Sequence, residues 1–223
     1  MNNTVSTLNK FTLEGKVALL VGSNPDSTSS IGTALVKAGA RVFVTADTQQ
    51  CIDQTLAAID SPSNKGLSIG LYTPTERDIV NTLENLDSHT SQVDILINNN
   101  HIEFAKPFTE VLTEEWDTVI AQNLRTTFLF CREVGKRMLH NQRGRIVNII
   151  SGLAERGLAN SAAYCATQSA VLQLTRALAL EWARQNIRVN AIGTGWYSIE
   201  EHVPKQPEAD KLSRYIPLRR RGT

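Results

Sequence analysis

The sequence has little cysteine, no surplus of charge and no long apolar run, and each shortage removes a class of protein. Three cysteines, Cys51, Cys131 and Cys165, are too few and too scattered for a disulfide framework, and no Cys/His spacing suits a metal ion. The expected setting is a reducing cytosol, with no metal site. Lys and Arg number 23 against 22 Asp and Glu, a net charge of +1, so nothing electrostatic points to nucleic acid or to a membrane surface as a partner. The arginines of "PLRRRGT" form the one basic cluster and read as a solvated chain end. The opening "MNNTVSTLNKFTLEG" carries no apolar signal core, and no stretch approaches the roughly 20 apolar residues of a membrane-spanning helix. The chain is expected to be soluble and cytoplasmic.

What is present is a regular alternation. At 223 residues and 41% hydrophobic content the chain can bury one sizeable core, and with no linker-like stretch residues 1–223 read as a single domain. The runs "KVALLVG", "ARVFVTA", "GLSIGLY", "VDILINN", "GRIVNIIS" and "IRVNAIG" are apolar and β-branched with hardly any polar alternation, the pattern of parallel strands buried on both faces. Between them, helical patterns are expected over about 30–38, 49–60, 75–88, 113–140 and 162–184. Strand and helix repeated in this way predict an α/β fold: a Rossmann-type, doubly wound parallel sheet with helices on both faces. Such sheets bind ligands beyond the carboxyl ends of their strands. The turn-rich segments "GSNPDSTSSIG", "NNNHIEFAKP", "ISGLAERG" and "GTGWYSIEE" fall at those places, and the stretch from 196 to 215 is the expected lid.

Taken together, "LEGKVALLVG", "VDILINNN", "NLRTTFLFCREVGKRM", "GRIVNIIS" and "AAYCATQSAVLQLTRALALEWARQNIRVNAI" resemble the short-chain dehydrogenase/reductase family from about residue 11 onward. Several motifs in the family's order carry the resemblance, which is more specific than any lone glycine motif. It implies a one-domain Rossmann fold that binds NAD or NADP, and subunits paired through the helices matching 113–140 and 162–184. It also implies a further helix and a last strand beyond Thr223, so the C-terminal element reads as missing or truncated.

The resemblance assigns site residues one by one. Asn123, Ser151 and Tyr164 match the asparagine, serine and tyrosine that act on a carbonyl or alcohol: the serine orients the substrate oxygen and the tyrosine passes the proton. Gln168, one helical turn after Tyr164, stands where the family has lysine. A neutral amide still hydrogen-bonds a ribose hydroxyl but brings no positive charge to favour tyrosinate, so this position reads as defective, for oxidation more than for reduction.

On the cofactor side, Gly22, Ser30, Ile31 and Gly32 are matched to the glycine-rich phosphate turn TGxxxGxG. Val21 and Ser30 replace its threonine and second glycine, and nine residues separate Gly22 from Gly32, a longer spacing than the motif's. An insertion with Pro25 and Asp26 is therefore expected to bulge into the pyrophosphate site. Asn98 belongs to the NNAG motif, in which Asn100 and His101 replace the small residues, and both are expected to obstruct the cofactor. Asp47 offers a carboxylate to an adenosine ribose and repels a 2′-phosphate, favouring NAD over NADP. Thr194 alters a further cofactor-side position, and "LYTPTE" lacks the acidic residue expected after the third strand.

Because these changes gather on the cofactor side while the fold pattern stays whole, the leading expectation is a non-catalytic subunit. It would pair with an active short-chain dehydrogenase paralogue in a hetero-oligomeric dehydrogenase of the alcohol or hydroxyacyl-CoA type, and bind NAD weakly or not at all. The alternative is an NAD(P)-dependent oxidoreductase acting on a carbonyl or alcohol through an atypical site. A third reading is a regulator that binds a small molecule without redox chemistry.

Overall fold

The computed structural model describes residues 11–59, 66–196 and 216–222; the expected lid lies, apart from Trp196, outside the described residues. Six strands, β1 (Val17–Gly22), β2 (Arg41–Ala46), β3 (Leu67–Leu71), β4 (Ile95–Asn99), β5 (Gly144–Ser151) and β6 (Ile187–Thr194), form one sheet in the order β3-β2-β1-β4-β5-β6. All neighbours pair in parallel. β1 and β4 are buried at every residue, as a strand covered by helices on both faces must be.

The two sides of β1 show how the layers form. Val17, Leu19 and Val21 face a core shared with Ile79, Leu83 and Leu86 of α3 (Glu76–Asp87), with Phe130, Val134 and Met138 of α5 (Thr126–His140), and with Trp182 of α6 (Ala162–Trp182). Ala18 and Leu20 face the other core, against Ile31, Leu35 and Val36 of α1 (Pro25–Lys37) and Leu56 and Ile59 of α2 (Gln49–Ile59). No helix among the described residues is long and apolar enough to cross a membrane.

Register fixes the ligand-facing end. Gly22 is level with Ala46 on β2 and Asn99 on β4, and Ala46 is level with Leu71 on β3. The next residues, Ser23, Asp47, Tyr72 and Asn100, therefore emerge side by side. At the other half of the sheet Ser151 is level with Thr194.

The largest departure from expectation is α1. It starts at Pro25, only two residues after β1 ends, so no loop bulges between strand and helix. Asn24 is the N-cap, its side chain accepting the Ser27 N–H at 3.0 Å, and Pro25 supplies a first-turn residue with no N–H to satisfy. The segment read as an insertion is the first turn of the helix. A second irregularity separates α4 (Thr113–Ile120) from α5: Ala121–Arg125 form a π-helical turn, with the Thr126 hydroxyl donating to the Ala121 carbonyl at 3.1 Å. The wider turn lets two consecutive residues, Gln122 and Asn123, point inward, 8% and 1% exposed.

Candidate active site

The inward stripe of α6 carries Tyr164, Thr167, Gln168, Val171 and Thr175, all buried at the i, i+3, i+4, i+7, i+11 spacing of one helix face. Gln168 accepts the Ser151 backbone N–H through Oε1 at 2.8 Å, which ties the end of β5 to α6. The Ser151 hydroxyl oxygen accepts the Leu153 N–H at 3.1 Å and opens a short 3₁₀ turn, Gly152–Ala154. From the other side Asn123 donates through Nδ2 to Thr167 Oγ1 and to the Ile102 carbonyl, each at 3.1 Å, and accepts the Ile102 N–H at 2.8 Å. Thr167 in turn donates to the Tyr164 carbonyl at 2.8 Å. Of the four residues assigned to chemistry, Tyr164 and Gln168 share one face of α6, Ser151 is tied to Gln168 through its backbone, and Asn123 is linked to that face through Thr167. His101 joins them, its ring centroid 6.1 Å from that of Tyr164. Burial pushes the His101 imidazole below its ordinary value of 6.5, and its Nδ1 is shielded without a hydrogen-bond partner.

The residues assigned to the cofactor fare differently. Gly22 stands at the end of β1, and a side chain there would strike Thr28 of α1, at 2.6 Å from its Cγ2. Ser30, Ile31 and Gly32 do not join it. They lie one to two turns along α1, where Ser30 is exposed, Ile31 packs in the α1–α2 core and Gly32 abuts Ile59, whose Cγ2 would be 2.9 Å from an added Cβ. Three glycine-turn matches are corrected accordingly: their neighbours are α2 and solvent, not the helix N-terminus. Asn98 also turns away from the cleft, donating to Asn148 Oδ1 at 2.8 Å and Cys131 Sγ at 3.3 Å on the α5 side. Its neighbour Asn99 reaches the start of α1, donating to Ser27 Oγ at 2.9 Å and Thr28 Oγ1 at 3.0 Å. Side chains alternate along a strand, so a one-residue change of assignment exchanges the two faces.

Asn100 and His101, expected to obstruct the cofactor, take two different places. Asn100 Nδ2 donates to the Gln122 carbonyl at 2.9 Å and Thr127 Oγ1 at 3.2 Å, which buries the side chain beneath the π-turn, and His101 sits beside Tyr164. Asp47 is where the sequence placed it, just past β2. Its Oδ2 accepts from Gln122 Nε2 at 2.7 Å, while Oδ1 is shielded and unpartnered. Burial raises its carboxyl above the ordinary carboxylate range, against the nearby Ser23 hydroxyl. Sequence reasoning missed Gln122, Tyr72, Ser23 and Asn24. Only Asn24-Pro25 carried a legible signal, that of a helix cap.

A cavity of about 730 Å³ lined by Ser91, Gln92, Lys136, Arg137, His140, Asn141 and Arg143 lies where β4 and β5 begin, at the opposite end of the strands. Its cations are engaged, Arg137 with Asp87, Lys136 with Glu133 and Arg143 with Asp94.

Residues 16–208 match the short chain dehydrogenase family. The chain belongs to that family. It is therefore a member of a family of NAD(P)-dependent oxidoreductases. This short chain dehydrogenase is 30% identical over 190 residues to 5-keto-D-gluconate 5-reductase of Escherichia coli, covering 85% of this chain and 75% of that one. It is 32% identical over 218 residues to 2-dehydro-3-deoxy-D-gluconate 5-dehydrogenase of Bacillus subtilis, covering 95% and 84%. Among solved structures it is similar to 3-ketoacyl-(acyl-carrier-protein) reductase of Brucella melitensis complexed with NADH, with a TM-score of 0.77 and 28% identity over 84% of this chain and 78% of that one.

The donor set of this short chain dehydrogenase fits a nicotinamide dinucleotide at its adenosine ribose. Asp47 Oδ1 is a shielded acceptor without a donor, the group that a ribose hydroxyl would supply. At the N-terminus of α1, Asn24 caps the helix, Pro25 brings no N–H, and Asp26 adds a carboxylate to the first turn.

Proposed function

We propose that this chain is an NAD-dependent oxidoreductase that interconverts a secondary alcohol and a ketone on a small polyhydroxylated substrate of the sugar-acid class. The observation that supports the reading is that Ser151, at the carboxyl end of β5, is bonded through its backbone to Gln168 on the buried face of α6 that also carries Tyr164, while Asn123 joins the same face through Thr167. The names of the gluconate-type relatives, each that of an oxidoreductase, support it and give the substrate class. The Ser151 hydroxyl orients the substrate oxygen, and the Tyr164 hydroxyl gives a proton to that oxygen in reduction or takes one in oxidation. Asp47 holds the adenosine ribose. When bound, the nicotinamide supplies or accepts the hydride at the substrate carbon. Asn123 fixes Ile102 and Thr167 and so positions the segment beside Tyr164.

One observation favours a second reading. Gln168 is 1% exposed and bound to the Ser151 backbone, so no cation stands one turn after Tyr164. That fits a subunit with weak dinucleotide binding that stabilises an active paralogue in a hetero-oligomer. The discriminating experiment is a titration of the purified chain with NADH, followed by reduction of 5-keto-D-gluconate read at the nicotinamide absorbance band. Saturable binding with turnover abolished by Tyr164→Phe supports the oxidoreductase. Absence of both, with activity appearing only in a co-purified paralogue, supports the subunit.

A further inference from the structure

The adenosine end of the cleft holds a polar cluster that the catalytic reading does not use. Ser23, Asp47 and Tyr72 leave the sheet side by side at the ends of β1, β2 and β3, and the π-turn between α4 and α5 swings Gln122 over them. Gln122 Nε2 lies 2.7 Å from Asp47 Oδ2, 3.1 Å from Ser23 Oγ and 3.4 Å from Tyr72 Oη. The Tyr72 hydroxyl donates to the Gly22 carbonyl at 3.3 Å and lies 3.4 Å from Ser23 Oγ. Tyr72 is 2% exposed and Gln122 8%, while Ser23 and Asp47 are half-buried. Two of its members, Gln122 and Tyr72, come from segments far apart in the chain and meet only here.

We propose that Gln122 is a clasp over Asp47 that competes with a nucleotide ribose for that carboxylate, which makes it a residue that sets affinity for the adenosine end of the cofactor. The inference rests on the NAD-dependent reading. Its physical basis is competition for one carboxylate. A ribose diol presents two donors to an aspartate, and here the amide of Gln122 already occupies one oxygen through a charge-assisted hydrogen bond. A ribose held through both oxygens therefore competes with the Gln122 amide for the approach to Oδ2. The clasp lowers affinity by the strength of that bond, about ten- to a hundredfold.

The test is calorimetric titration of the full chain with ADP-ribose, which carries the adenosine end without nicotinamide, and with NAD. Gln122→Ala removes the clasp and opens the space. Gln122→Met removes the hydrogen bonds while keeping the volume, and serves as well if the alanine variant fails to fold. The expected result is ADP-ribose binding about ten- to a hundredfold tighter in either folded variant than in the wild type. Unchanged or weaker binding in a variant with a native-like melt overturns the clasp, while measurable NAD binding by the wild type in that same experiment leaves the oxidoreductase reading standing. If neither the wild type nor the variants bind ADP-ribose or NAD, both fall together.

Discussion

Gln168 accepts the Ser151 backbone N–H through Oε1 at 2.8 Å, and that bond decides which of two jobs the position performs. A lysine reaching from one turn beyond Tyr164 would present a cation toward the catalytic pair. The glutamine, 1% exposed, instead satisfies the last N–H of β5 where the strand gives way to the 3₁₀ turn. Gln168→Leu should therefore destabilise the protein by about 1–3 kcal/mol, the cost of stranding a buried donor, read as a fall in denaturation midpoint at constant slope.

Gln168→Lys exchanges that structural role for charge. If the oxidoreductase reading holds, turnover near neutral pH should rise about tenfold or more, and the alkaline limb of the pH–rate profile should move to lower pH, since an ammonium favours tyrosinate. An unchanged profile in a variant that still binds NADH would show that Tyr164 is not the proton donor.

Asp47 is a raised carboxyl, and the sign of its contribution follows from that. Its folded value lies above its unfolded value because burial disfavours the charged form, so the folded state binds more protons between the two. Stability from this site should grow as pH falls from neutral toward the ordinary carboxylate range. Asp47→Asn keeps an acceptor for Gln122 and removes the buried charge, so its melting temperature at neutral pH should rise by a few degrees and the slope should disappear. The same variant should narrow the preference for NAD over NADP by at least about tenfold, because the repulsion of a 2′-phosphate is gone.

His101 titrates in the opposite sense. Burial depresses its folded value below the ordinary 6.5, so the unfolded chain takes up the proton first and stability is lost as pH falls below about 6.5. The expected slope is up to about 1.4 kcal/mol per pH unit. Chemical denaturation from pH 7.5 to 5 should show a flatter acid limb for His101→Phe than for the wild type.

Gly135, on α5, faces Trp182 on α6, and an added Cβ would lie 2.6 Å from the indole Cη2. Alanine improves helix propensity by about 1 kcal/mol, whereas overpacking against a buried ring costs about 1–3 kcal/mol. Packing should win or draw. A Gly135→Ala variant more stable than wild type by the full propensity gain would mean that α6 shifts freely relative to α5.

The layout of strands and helices was legible in the sequence because it depends on local periodicity: β-branched runs of strand length, and helical spacing that placed Tyr164 and Gln168 on one face of α6. The start of α1 was also written locally, in Asn24-Pro25-Asp26, yet matching glycines to a motif displaced the phosphate turn onto Ser30, Ile31 and Gly32. Glycine spacing records where backbones approach closely, and Gly32 serves such an approach to Ile59 instead of to a phosphate. Asn98 and Asn99 were exchanged for a similarly small reason, since one step along a strand changes the face. No local rule reached the cluster over Asp47. Gln122 meets Asp47 across 75 residues and Tyr72 across 50, and its inward direction comes from a π-turn that has no recognised sequence signal. Local physics determined which elements form and which residues share a face; the register of four parallel strands and one widened helical turn decided what those residues touch.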